Sequence, residues 1–336
     1  MKKLCILMLG LSISSILFAQ GGVTQMNWLK PEELKALARR PILVVEYSDS
    51  QAEISNLKKK LEKAKPDKKT IIQDRIDAHT ESDENFRNHF LQIVKDNWKH
   101  NKLEDVKVIT HEEAKKMVNA KNAKYCLIML RSFGKSNTYD GTAGLGVEMP
   151  VMIIQGSESY GKNVECIGFP ILYSSESGGY TKADIKITVN ILNNYVIAAL
   201  KAPKKLDTQD FIEGEVAKNC SLKKSVTLHF NSDTFKDATA SDVKSAWPGS
   251  VEFHSSGEFL EAYTPESEDG FALFIPENIA EGSIGPIQSS AVMIGRIVVQ
   301  PSTGEILGIA KSKMGEKVAE MFYKKGHIED VSGCGK

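Results

Sequence analysis

Seven histidines, four cysteines beyond the first few residues, one glycine-rich run and one lysine-rich run are the places where this 336-residue chain could do chemistry. The histidines are His79, His89, His100, His111, His229, His254 and His327. A zinc-protease helix needs two histidines four apart, with a glutamate after the first. His111 is followed by Glu112 and Glu113, but Lys115 stands where the second histidine belongs. His79 and His89 could share a metal only if the chain folds back between them. The histidines therefore read as scattered surface or core residues, and no metal or cofactor is expected.

The run Asp140-Gly141-Thr142-Ala143-Gly144-Leu145-Gly146 lacks the Gly-Lys-Ser/Thr of a phosphate loop. Strand-like sequence follows it, not the helix of a dinucleotide fingerprint. It reads as a loop after the third parallel strand, where α/β proteins bind ligands. Asp140, Gly141, Thr142, Gly144 and Gly146 are thus a candidate ligand loop. A counterpart spans Pro276–Ser290, with Gly282 and Gly285. The segment Gly156–Gly161 lacks the spacing of a serine nucleophile elbow.

The cysteines are Cys126, Cys166, Cys220 and Cys334, with no C-x-x-C among them. Four cysteines allow three full pairings, and spacing does not choose between them. Cys220 and Cys334 flank the second of two repeated units described below. If the ends of that unit meet, a disulfide between them would clasp it. Cys126, in an apolar strand, reads as a small buried residue; it and Cys166 are left unassigned. From Lys58 to Lys69 there are seven lysines against Glu62 and Asp67, a net charge of +5. Lys58, Lys59, Lys60, Lys63 and Lys65 are a candidate partner surface, set against the plainer reading of a solvated helix face. No aromatic residues interleave for base stacking.

Positioning these residues requires regular elements, and the sequence shows them twice. Pro41–Asp49 and Ser225–Asp233 are apolar, β-branched runs ending in a polar turn, which read as strands. Phe86, Phe90, Val94 and Trp98 share a helix face, and Asp237–Trp247 is a shorter counterpart, so both helices finish on tryptophan. Short strands follow at Val106–Thr110 and Val251–Ser255. Each leads into a capping box, Thr110 with Glu113 and Ser255 with Glu258. Helices are expected over Glu112–Val118 and Gly257–Ala262. Apolar strands follow at Tyr125–Leu130 and Phe271–Ile275. Hairpins then turn at Tyr160-Gly161 and at Thr303-Gly304. Helices Asp184–Leu200 and Glu316–Lys324 close the units.

The order strand, helix, strand, helix, strand, hairpin, helix predicts an α/β (or α+β) fold in two tandem, duplicated lobes. Each lobe is a mixed sheet with a β-α-β-α-β core, a hairpin and flanking helices. The first copy carries an extra segment, residues 51–84, which reads as two helices joined at Lys65-Pro66-Asp67. The boundaries expected are a lead-in over 20–40, a first lobe over 41–200, a linker over 201–222, a second lobe over 223–325 and a tail over 326–336.

Residues 1–19 have the order of a secretory signal: Lys2 and Lys3, an apolar run from Leu4 to Phe18, then the small residue Ala19. Cys5 lies at the start of that run and not after it, which does not suit a lipid-modified cysteine. Removal of the signal leaves 41 basic against 43 acidic residues. A near-neutral chain argues against nucleic acid as a partner. No second apolar run is long enough to span a membrane. The expectation is an exported periplasmic or extracellular binding or envelope-assembly protein, non-enzymatic, with a protein or small-ligand partner. Two alternatives stand beside it: an exported hydrolase with its site in an inter-lobe cleft, and a polyanion or envelope-surface binder acting through the lysine-rich insert.

Overall fold

The computed structural model describes residues 26–46, 50–101, 106–133, 149–160, 165–174, 180–284, 287–311 and 321–334. The signal-like segment 1–19 and the glycine-rich run 140–146 lie outside them. The first half contains α1 (Pro31–Leu37), β1 (Ile42–Val45), α2 (Ser50–Lys63), α3 (Pro66–Asn97), β2 (Val108–Ile109) and α4 (His111–Asn119). It continues through β3 (Cys126–Phe133), β4 (Met149–Gly156), β5 (Cys166–Pro170) and α5 (Lys182–Lys201). Next come α6 (Thr208–Lys218), β6 (Leu228–Asn231), α7 (Ala240–Ala246), β7 (Val251–His254) and α8 (Ser256–Ala262). The chain closes with β8 (Gly270–Ile284), β9 (Ile287–Gln300), β10 (Glu305–Ala310) and α9 (Lys325–Ser332).

The two sheets have one layout. The first runs β2-β1-β3-β4-β5 and the second β7-β6-β8-β9-β10. In each, the first strand pairs parallel with the second and third, and the last three pair antiparallel. Local chemistry repeats with it. Glu113 Oε2 accepts from the Thr110 N–H at 2.7 Å, and Glu258 Oε2 accepts from the Ser255 N–H at 2.9 Å. Both boxes satisfy backbone donors that a helix start leaves open. Trp98 and Trp247 end their helices, each N–H bonded back one turn at 2.9 Å.

The two halves share a core. One continuous apolar cluster includes Ile42, Ile128 and Ile154 of the first sheet and Leu273, Ile297 and Ile306 of the second. Tyr173 and Phe274 bridge the halves through reciprocal backbone hydrogen bonds of 2.8 and 3.0 Å. Helix α5 carries 13 buried residues out of 20, far more than one amphipathic face holds. Its buried Asn190 donates to the carbonyls of Pro301 and Ser302, and Asn194 to that of Thr303, so α5 grips the β9–β10 turn. Its start is a carboxylate cage: Asp184 accepts from the Thr181 N–H and hydroxyl, the Ser174 hydroxyl and the Tyr263 hydroxyl.

Four expectations need correction. The stretch 201–222 is not a bare linker, because Phe211, Ile212 and Val216 of α6 are buried in the shared core. Residues 326–336 are not a tail: α9 buries His327, Ile328 and Val331. The expected helix Glu316–Lys324 is not helical over Met321–Lys324, and its earlier residues are outside those described. The counterpart loop Pro276–Ser290 is largely strand, since β8 and β9 pair out to Ile284 and Ile287. The lead-in is also structured, with Trp28 N–H bonded to Cys166 O beside β5.

The insert forms a two-helix hairpin that turns at Pro66, where the missing N–H costs the helix start nothing. Ile54, Leu57 and Ile76 form a small core of its own. No helix among the described residues is long and apolar enough to cross a membrane.

Candidate functional site

Strands alternate their side chains, so β6 shows Leu228 and Phe230 on one face and His229 and Asn231 on the other. Leu228 and Phe230 enter an apolar core with Val243 and Trp247. The opposite face gathers His229 and Asn231 beside Glu252 and His254 of β7, which are their register partners. His229 Nδ1 lies 2.8 Å from His254 Nε2. Glu252 Oε2 lies 3.7 Å from each of those nitrogens. On its other side, His229 Nε2 is 3.4 Å from Asp269 Oδ2. That carboxylate is held in place through Oδ1, which accepts the Thr227 N–H at 3.1 Å.

His229 is the inner member of the cluster. Its ring stacks on Phe271 at 4.6 Å, and the His254 ring lies edge to edge with it, centroids 5.1 Å apart and planes within 16°. Phe271 packs in turn against Phe259 and Tyr263, so an aromatic floor fixes the imidazole. Strand β7 ends the sheet, and Glu252 stays open to solvent with a side-chain exposure of 60%. Among the described residues, His229, Glu252 and His254 are the one group of three able to approach a single metal ion.

Three of the four matching positions of the first half are apolar, and the fourth, at Glu252, is the exposed Lys107. Val44 pairs with Val108 and Val45 with Ile109, as Phe230 pairs with Phe253 and Asn231 with His254. The capping residues Thr110 and Ser255 follow next in each half. His254 thus stands where Ile109 stands, Asn231 where Val45 stands, and His229 where Leu43 stands. Leu43, Val45 and Ile109 are buried under α4 with Ala114. In the second half two imidazoles and one amide stand in place of those three apolar side chains.

A neighbouring polar network is internally satisfied. Asp233 Oδ2 accepts from the Ser256 hydroxyl at 2.7 Å and its N–H at 3.0 Å, which hold the Asp233 carboxyl below its ordinary value. Asn231 Oδ1 accepts the Asp233 N–H. These bonds shape the turn after β6 and leave the imidazole cluster as the face with unspent donors and acceptors.

The other candidates separate in space. Lys58, Lys59, Lys60 and Lys63 on α2, and Lys65 at its junction with α3, are all exposed. Cys220 and Cys334 form a disulfide with a Cα–Cα distance of 5.2 Å. Beside it, the buried Lys223 ammonium donates to the carbonyls of Val331 and Gly333 at the end of α9. Cys126 and Cys166 are buried thiols outside the disulfide, and burial pushes both up to about 12. His79 and His89 lie on the single helix α3, roughly 15 Å apart along its axis at ~1.5 Å per residue, so they share no metal. His111 contacts the Tyr160 hydroxyl, and His327 Nδ1 accepts the Lys324 N–H. His100 is drawn below its ordinary value by burial.

Sequence reasoning passed over His229 and His254 as a pair. The signal was there in the internal alignment: histidine replaces leucine and isoleucine at two matching strand positions. The chain matches no family model, no curated protein and no solved structure.

Proposed function

We propose that this chain is an exported binding protein, not an enzyme, that takes its ligand on the imidazole–carboxylate face of β6 and β7. The observation that carries the reading is the exchange of Leu43, Val45 and Ile109 for His229, Asn231 and His254 within one repeated layout. Polar groups on a half-buried sheet face cost stability unless they are engaged. A framework that tolerates an apolar face there has no structural need of two imidazoles. Export is supported by the signal-like order of residues 1–19 and by the Cys220–Cys334 disulfide, a bond suited to an oxidising compartment.

The test is NMR of the imidazole signals in the disulfide-intact chain while small cations, anions and peptides are titrated in. The reading expects the His229 and His254 signals to respond first, and the response to be lost in His254→Gln. Response confined to other histidines, or steady conversion of a titrated compound, would sink it.

A second reading is favoured by the exposure of the lysines on the α2–α3 hairpin. It is a grip on an anionic partner of the envelope, and such binding must weaken steeply as salt rises.

A further inference from the structure

We infer that His229 Nδ1, His254 Nε2 and Glu252 Oε2 are the ligands of one divalent transition-metal ion of the Zn2+ type. The inference rests on the reading of this face as the binding face, and names what it binds.

Geometry is the first support. A tetrahedral zinc site with metal–ligand bonds of ~2.0–2.1 Å has donor–donor edges of about 3.3 Å. The three donors here form a triangle with edges of 2.8, 3.7 and 3.7 Å, which bracket that value. An entering ion opens the imidazole contact by about half an ångström and draws the carboxylate in by about as much. Both outer ligands sit on the edge strand β7, and Glu252 is the most exposed of the three.

Donor chemistry is the second. Two imidazoles and one carboxylate suit zinc and its neighbours in the transition series. Calcium and magnesium take oxygen ligands and are excluded by the two nitrogens.

The third support is the far side of His229. This residue is 8% exposed, and its Nε2 has no hydrogen-bond partner among the described residues. Asp269 Oδ2 stands 3.4 Å away, anchored by Thr227. A metal-bound histidine characteristically turns its second N–H to a carboxylate. With the proton on Nε2 facing Asp269, the Nδ1 lone pair faces the ion. Without the ion, the 2.8 Å contact then takes its proton from His254 Nε2; on binding, the ring changes tautomer and carries that proton on Nδ1 instead. The fourth coordination position opens beside Glu252, where water or a donor atom of a carried molecule completes the site.

The experiment uses the tag-free, disulfide-intact chain, stripped with chelator and dialysed. Zinc chloride is titrated calorimetrically, and cobalt(II) is followed by visible absorption. One equivalent of zinc and the intense bands of four-coordinate cobalt are expected, with no response to magnesium or calcium. Glu252→Gln and His254→Gln should each weaken zinc by more than about tenfold, and Asp269→Asn by about 10–100-fold. Glu252 is exposed, so Glu252→Gln tests the site without threatening the fold. No zinc binding, or zinc binding unchanged in both glutamine variants, overturns the proposal. If zinc fails while another ligand still moves the two imidazole signals, the ion is wrong and the binding face stands. If nothing moves them, both readings fall together.

Discussion

Tyr263, which caps the end of α8, donates its hydroxyl to Asp184 at 2.9 Å, tying the second half to the first turn of α5 in the first. Both side chains are buried, and the four donors around Asp184 come from Thr181, Ser174 and Tyr263. Removing one donor from a buried carboxylate costs about 1–3 kcal/mol. Tyr263→Phe should therefore lower global stability by that order in urea unfolding, with m unchanged.

Burial outweighs those donors and pushes the Asp184 carboxyl up to about 6 from an ordinary 3.8. A folded-state value above the unfolded one means the folded chain holds the extra proton between the two. The stabilisation is complete below about pH 4 and is lost as pH rises through about 6. Against an Asp184→Asn variant, the native chain should lose relative stability across that window and level off above it. A relative gain with rising pH would contradict the burial argument.

The disulfide closes a loop spanning 114 residues. Chain-entropy arguments give about 4–5 kcal/mol for a loop of that size, with measured values nearer 2–5. Reduction should destabilise the second half and free α9, seen as faster amide exchange over Lys325–Ser332. Cys126 and Cys166 should stay unlabelled by alkylating reagent until the chain unfolds, because both thiols are buried and protonated.

Gly304 turns the β9–β10 hairpin with φ +69°, and a Cβ there would lie 2.6 Å from Asn190 Cβ. Gly304→Ala meets both the backbone penalty and the clash with α5. A loss of at least about 1–3 kcal/mol is expected, measured by thermal unfolding. Asn190→Ala should cost less, since it removes two hydrogen bonds without displacing the turn.

On the α2–α3 hairpin, charge reversal at Lys58, Lys59 and Lys63 should leave Tm nearly unchanged, because those side chains are exposed. Leu57→Ala removes a residue from the hairpin's own small core. It should loosen α2 and the start of α3 by about 2–4 kcal/mol and spare the sheets, as hydrogen exchange can resolve.

Legibility in the sequence followed distance along the chain. The boxes at Thr110–Glu113 and Ser255–Glu258, the tryptophans that end α3 and α7, and the break at Pro66 are local, and local chemistry determines them. The repeated element order then follows from short segments read in turn. What escaped was non-local. His229 and His254 are 25 residues apart and meet only because β6 and β7 pair in a particular register. The stretch 201–222 read as a linker because Phe211, Ile212 and Val216 stand among polar residues, and only the shared core gives them a wall. Two tandem lobes with a mixed sheet each were expected and are present; the core they share was not legible, because no pattern in one unit announces that its core continues into the other.

The cage around Asp184 sets an order of events for any chain that emerges from its N-terminus onward. Helix α5 is complete at Lys201, yet Tyr263 arrives 79 residues after Asp184 and Pro301 arrives 111 after Asn190. Until then α5 has its apolar sides and its buried carboxylate without their final cover. The first half is therefore an unfinished surface for most of the time it takes the second to appear. The contacts that cover α5 are thus completed only by residues far along the chain.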